Sequence, residues 1–80
     1  MNVQLIQGQF NAHDAIDIIT KMIHIKIKYH ENKINNSNNE EDTKSREVKI
    51  KTLQKDLFEI RKHIETKGSK INLVASVDIE

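Results

Sequence analysis

The chain has 80 residues, which is enough for one small domain. Its 13 Lys and Arg residues against 12 Asp and Glu residues leave a net charge of +1, so no overall field directs it to nucleic acid or to a membrane surface. There is no Cys, which excludes disulfides, thiolate catalysis and Cys-ligated zinc. A single core of this size rarely supplies more than ~3–5 kcal/mol, so we expect self-association to add stability.

The first element that the sequence predicts is a short strand over residues 3–7. Strict alternation places Val3 and Leu5 on one face of this strand and Ile6 on the other. We expect the strand to end at Gly8, because glycine interrupts strand interiors.

A long helix is predicted over residues 11–34, with Asn11 as its cap and Asp14 at the positive end of the helix dipole. Residues 23–30 alternate strictly between apolar and polar, which favours a strand and competes with this prediction. On a helical wheel, however, the apolar residues fall within one arc of roughly 200°, and neither Gly nor Pro interrupts the pattern. Helix is therefore the favoured interpretation. The arc consists of Ala15, Ile16, Ile18, Ile19, Met22, Ile23, Ile25, Ile27, Tyr29 and Ile34.

Lys26 lies near the middle of this apolar arc, with His30 and Lys33 close to the same line. One interpretation is a basic stripe that faces a groove or an acidic partner. The favoured one is that the arc is buried only from Ala15 to Ile23 and that the hairpin splays or protrudes beyond it. Lys26 then runs its aliphatic stem along the packed surface and keeps its ammonium in water.

A polar loop is predicted over residues 35–42, followed by a second helix over residues 43–67. The acidic run at 40–42 also suits the first turn of that helix, with Asn39 as a cap. Gly68 is placed to end the helix. The apolar seam of the helix steps by 3, 4, 3 and 4 residues, which is typical of an antiparallel helix pair; it comprises Ile50, Leu53, Leu57, Ile60 and Ile64.

The last segment, residues 70–79, is the most regular strand pattern in the chain. One of its faces is apolar throughout, and we expect that face to meet a core. The predicted fold is α+β: strand, helix, helix, strand, with a long antiparallel helical hairpin and paired terminal strands. Because the last strand is predicted to be about twice as long as the first, we expect a second copy to complete the sheet.

Catalysis has little support in the sequence. The four histidines have no spacing that places two metal ligands on one helical face, and we expect them to lie on the surface. There is no Gly-rich phosphate loop. We therefore expect no enzymatic activity, no metal and no cofactor. No signal peptide or apolar run of spanning length is visible, so the expected location is cytoplasmic, away from membranes.

The leading functional hypothesis is a homodimeric interaction or scaffold module. Its predicted dimer interface consists of Ile71, Leu73, Ala75, Val77, Ile79 and Phe58. The alternative is a nucleic-acid-binding module that uses basic helical faces, because positive charge concentrates on the two helices. Its predicted contacts are Lys21, Lys28, Lys33, Lys49, Lys51, Lys55, Arg61 and Lys62. A third hypothesis is an accessory subunit that binds another protein through Phe58 and Val48.

Overall fold

A computed structural model describes residues 1–80, and it confirms the predicted order of elements. Strand β1 spans Asn2–Phe10, helix α1 Ala12–Asn35, helix α2 Glu40–Lys67, and strand β2 Ile71–Asp78. The two strands form one antiparallel sheet, and the two helices form a hairpin. No helix is both long enough and apolar enough to cross a bilayer.

Helix α1 is helical throughout, so the alternating stretch at 23–30 is not a strand. Its start is fixed as predicted, since the Asn11 side chain accepts a hydrogen bond of 2.8 Å from the amide of Asp14. The alternation at 23–30 arises because the helix has apolar residues on two different sides, as described below.

The loop between the helices is shorter than predicted, because α2 begins at Glu40 rather than at residue 43. The Asn39 side chain caps α2 by accepting hydrogen bonds from the amides of Glu41 and Asp42 at 2.9 and 3.2 Å. The acidic residues then occupy the positive end of the helix dipole. At the other end of α2, Gly68 adopts a φ of 97°, a conformation that favours glycine, and closes the helix.

Strand β1 is longer than predicted, with nine residues instead of five. The prediction that Gly8 ends the strand is wrong. Gly8 takes a φ of 152°, which other residues rarely adopt, and it keeps its place in the ladder opposite Leu73. The flexibility that suggested a break is used instead to continue the strand.

The prediction that Val3 and Leu5 share one face of β1 and that Ile6 lies on the other is also wrong. A β-bulge between Gln4 and Ile6 interrupts the alternation of side chains. Leu5 is the extra residue, and it has no partner on β2. Val3 lies opposite Val77 and Ile6 opposite Ala75, so Val3 and Ile6 share the apolar face that strict alternation would have separated.

The two strands are nearly equal, at nine and eight residues, and they pair along their whole length. The expected overhang of the last strand is therefore absent, and it gives no argument for a second copy. Each strand of a two-stranded sheet still has one edge without a partner in the chain.

The hydrophobic core lies at the base of the hairpin, where α1 begins, α2 ends and the sheet joins them. Its buried members are Ala15, Ile64 and Ile71. Only four of the 80 residues are buried, and the molecule measures 46 × 32 × 13 Å, so it is a thin plate with little interior. The sheet makes few contacts with the helices beyond the base.

Candidate functional site

The apolar face of the sheet is only partly covered within one chain. Of the predicted interface residues, Ile71 is buried and Leu73 and Ala75 are half-buried, whereas Val77 and Ile79 are exposed. Within one chain, therefore, only the part of this face near the base meets the core. The exposed fraction of these side chains rises with distance from the base of the hairpin.

Phe58, the remaining predicted interface residue, lies elsewhere. It is exposed on α2, with the ammonium of Lys62 at 5.1 Å from its ring centroid. Lys67, which lines the cavity between α2 and β2, is nine residues further on and so ~180° around the helix. Phe58 and the sheet face thus do not form one patch.

A second apolar surface lies on α1, on a different side of the helix from half-buried Ile23, and at its far end Tyr29 also lies near Arg46 of α2. It consists of four residues that we call the outer stripe: Ile18, Met22, Ile25 and Tyr29. Ile23, which is half-buried, and Ile25, which is exposed, lie ~160° apart around the helix. Sequence reasoning placed all of these residues in one apolar arc. The width of this arc, roughly 200°, already indicated two apolar surfaces, since packing against one neighbouring helix needs a stripe of only about 100°.

The lysines that were predicted to contact nucleic acid are all exposed, as is Arg61. They do not form a single surface. Lys51, Lys55 and Lys62 share the side of α2 opposite its apolar seam, and Lys44, which the prediction missed, lies on the same line seven residues before Lys51. The other members lie on α1 or on different sides of α2.

His30 does not lie on the surface as predicted. It is buried near the tip of the hairpin, with 6% of its surface exposed. Arg46 of α2 donates a hydrogen bond of 3.0 Å from Nη1 to Nδ1 of His30, and Arg46 Nε also pairs with Asp42 at 3.1 Å. The guanidinium lies 5.8 Å from the ring centroid of Tyr29. We call His30, Arg46 and Asp42 the tip cluster.

The tip cluster fixes the protonation state of His30. A guanidinium has no acceptor, so Nδ1 must be unprotonated to receive its hydrogen bond, and the imidazole is neutral with hydrogen on Nε2. Burial lowers the pKa of His30 from its usual value, and the charges of Arg46, Lys49 and Lys26 lower it further. Sequence reasoning could not find this cluster, because His30 and Arg46 are 16 residues apart.

A cavity of about 300 Å³ adjoins the tip cluster between the two helices. Lys26, His30 and Lys49 contribute to its lining, and Asp56 offsets part of their positive charge. Lys26 is exposed there, and Nε2 of His30 is buried without a hydrogen-bond partner. No three His, Asp or Glu side chains come together in the structure in a way that could hold a metal ion.

Comparison with known proteins gives no relative for this chain: no protein-family model, no curated protein and no solved structure matches it. Its function is therefore argued from its own residues. The surfaces with the clearest chemistry are the bare part of the sheet face, the outer stripe of α1 and the lysine line of α2.

Proposed function

We propose that this protein is a non-enzymatic homodimeric interaction or scaffold module that associates through its terminal strands. The supporting observation is the apolar sheet face that extends beyond the core and ends in the exposed side chains of Val77 and Ile79. Burial of apolar surface stabilises by about 25 cal/mol per Å², so a second copy that covers this face would supply what the thin core lacks.

The oligomeric state is the direct test. Light scattering coupled to size-exclusion chromatography at micromolar concentration is expected to give the mass of two chains. A stable, folded monomer would overturn the proposal.

Val77→Asp tests the surface, because it places a charge on the apolar face of β2. The matched control is Ser76→Asp, which places the same charge on the opposite, polar face, where Ser76 is exposed and pairs with Gln4. We expect Val77→Asp to dissociate or unfold the dimer and Ser76→Asp to keep it. Equal behaviour of the two variants, by mass and by thermal melting, would exclude this face as the interface.

A second candidate function, contact with the phosphate backbone of a nucleic acid, is favoured by the lysine line on α2. Lys44, Lys51, Lys55 and Lys62 span 18 residues, or ~27 Å of helix, on one exposed side. Such contacts release counterions, so affinity should fall steeply with salt.

Fluorescence anisotropy with labelled duplex DNA and RNA at low salt tests this candidate. The variant Lys51→Gln/Lys55→Gln/Lys62→Gln is expected to weaken binding, while Lys70→Gln, which removes one exposed charge at the base, serves as the control. The absence of any binding at low salt would remove this candidate and leave the dimer proposal intact.

A further inference from the structure

The outer edge of β2 carries an uninterrupted row of backbone hydrogen-bonding groups. Met1 and Ile79 exchange two backbone hydrogen bonds across the sheet, at 2.8 and 2.6 Å. Backbone groups alternate in direction along a strand, so the odd-numbered residues of β2 bond to β1 and the even-numbered residues direct their N–H and C=O groups outward. These even-numbered residues are Asn72, Val74, Ser76 and Asp78. Because β2 contains neither Gly nor Pro and the bulge lies on β1, this edge is open to pairing with another strand.

The outer edge of β1 is less suited to pairing. The bulge at Leu5 interrupts its row of outward groups, and Gly8 follows with a φ of 152°. Bulges protect edge strands from pairing, because they bend the strand and increase its local twist. Of the two free edges, the edge of β2 is therefore the better template for another strand.

Val74 is the exception on the polar face of β2. Its neighbours on that face are Asn72 and Ser76, whereas Val74 is apolar and 65% exposed. It does not pack against the core of its own chain. Val74 also lies near the middle of β2, which spans Ile71–Asp78. A two-fold axis beside Val74 would bring two copies of this side chain together and remove both from water.

Antiparallel pairing of two β2 strands about Val74 matches their positions on the polar side of the sheet. Even-numbered residues then come opposite even-numbered residues, so the outward N–H and C=O groups of the two strands bond to each other. Asn72 comes opposite Ser76, and Asp78 comes opposite Lys70. Opposite charges directly across an antiparallel pair are stabilising, and this register sets no two like charges opposite each other.

The same register brings the bare part of one apolar face beside the core of the other chain. Val77, which is 42% exposed, comes opposite Ile71, a core residue that is only 7% exposed. Leu73 comes opposite Ala75, and both are half-buried. Directly opposite residues of antiparallel strands point to the same face, so the two apolar faces join and both helical hairpins lie on one side of the sheet.

We infer that two copies of this chain pair edge to edge through β2, antiparallel about Val74, and form a four-stranded sheet in the order β1, β2, β2, β1. This inference rests on the proposed dimer and names its edge and register. The contact is isologous, as two-fold symmetry requires, because each chain supplies the same edge.

A cysteine at position 74 tests the register, because the chain has no cysteine of its own. Directly opposite, hydrogen-bonded residues of an antiparallel pair have Cα atoms ~5.5 Å apart, a separation that a disulfide can bridge. We expect Val74→Cys to form a covalent dimer in a glutathione redox buffer, measured on a non-reducing gel. Gln7→Cys is the matched control, since Gln7 is exposed and lies opposite Val74 on β1. Its two copies would be three strand spacings, or ~14 Å, apart, so we expect at least tenfold less covalent dimer.

Ser76→Cys, on the same edge, is the second control. Its two copies would be offset by four residues of strand, or ~13 Å, and should not form a disulfide. A wild-type monomer would overturn both proposals. A wild-type dimer in which Val74→Cys yields no more covalent dimer than Gln7→Cys or Ser76→Cys would overturn only this inference.

Proline substitution tests the backbone contact independently. Val74→Pro removes an outward N–H group and leaves every hydrogen bond to β1 in place. We expect the dimer dissociation constant, measured by analytical ultracentrifugation, to rise at least tenfold, with circular dichroism showing that the chain is folded. Gln7→Pro removes an outward N–H at the same level of β1 and should change the constant less than twofold. Equal dissociation constants for the two proline variants would exclude the edge of β2 as the contact.

Discussion

The two ends of the helical hairpin are held by different kinds of interaction. At the base, Ala15, Ile64 and Ile71 pack as an apolar cluster with the sheet against it. At the tip, the contact is polar and directional: Arg46 bonds to His30 on the facing helix and to Asp42 on its own. The base therefore depends on buried area and shape, whereas the tip depends on geometry and protonation state.

The two ends therefore differ in what they determine: the base mainly stabilises the fold, and the tip sets the alignment of the two helices. Apolar packing tolerates small shifts of one helix along the other. The Arg46–His30 hydrogen bond of 3.0 Å, in contrast, requires one relative position of the two helices. We infer that the base supplies most of the free energy of folding and that the tip fixes how the helices align near the loop.

The largest expected effect comes from the base. Ile64→Ala removes a buried side chain from the only core, and such truncations typically lower the free energy of unfolding by about 2–5 kcal/mol. For a chain of this size that loss approaches the whole stability. Thermal or urea unfolding monitored by circular dichroism measures it, with Val48→Ala on the exposed side of α2 as a control expected to change stability by less than about 0.5 kcal/mol. Equal losses in both variants would show that the base is not the stabilising region.

A smaller effect is expected at the tip. Arg46→Ala removes the hydrogen bond to His30 and the ion pair with Asp42, and we expect a loss of about 1.5–3 kcal/mol, typical of hydrogen bonds that involve a charged group. Arg61→Ala is the matched control, because Arg61 is an exposed arginine of the same helix. If both arginine variants unfold at the same urea concentration, the tip contributes nothing to stability.

The smallest expected effect is a dependence of the free energy of unfolding on pH that arises from His30 at the tip. The pKa of His30 is lower in the folded state than in the unfolded state, where it is near 6.5. As the pH falls through that unfolded-state pKa, the unfolded state therefore binds a proton first. The contribution of His30 to the free energy of unfolding is therefore constant above the unfolded-state pKa. It decreases as the pH falls from the unfolded-state pKa to the lowered folded-state pKa, and it is constant again below the folded-state pKa. His30→Asn should flatten this part of the profile, because asparagine can still accept from Arg46 but does not titrate. A wild-type profile in His30→Asn would refute the assignment.

Sequence reasoning found the features that depend on neighbouring residues. The caps at Asn11 and Asn39, the terminator at Gly68 and the apolar seam of α2 follow from local chemistry and helical spacing, and the structure confirms all of them. The paired terminal strands follow from the hairpin, since both begin and end at its base.

The features that it missed depend on partners distant in the chain. The position of the bulge is set by the register with β2, and nothing in the residues of β1 alone specifies it. His30 is buried because Arg46 of the facing helix pairs with it. The apolar face of the last strand was predicted, but how much of it one chain covers depends on the angle at which the sheet leaves the base.

The bulge at Leu5 has a consequence for how this chain tolerates changes in length. Removing Leu5 would bring Gln4 and Ile6 into consecutive pairing with Ser76 and Ala75, so every existing pair and both faces of the sheet would survive. Losing Gln7, Gly8 or Gln9 would instead invert the side chains on one side of the gap. Among natural variants of this protein, single-residue deletions in the first strand should therefore concentrate at the bulge, over residues 4–6.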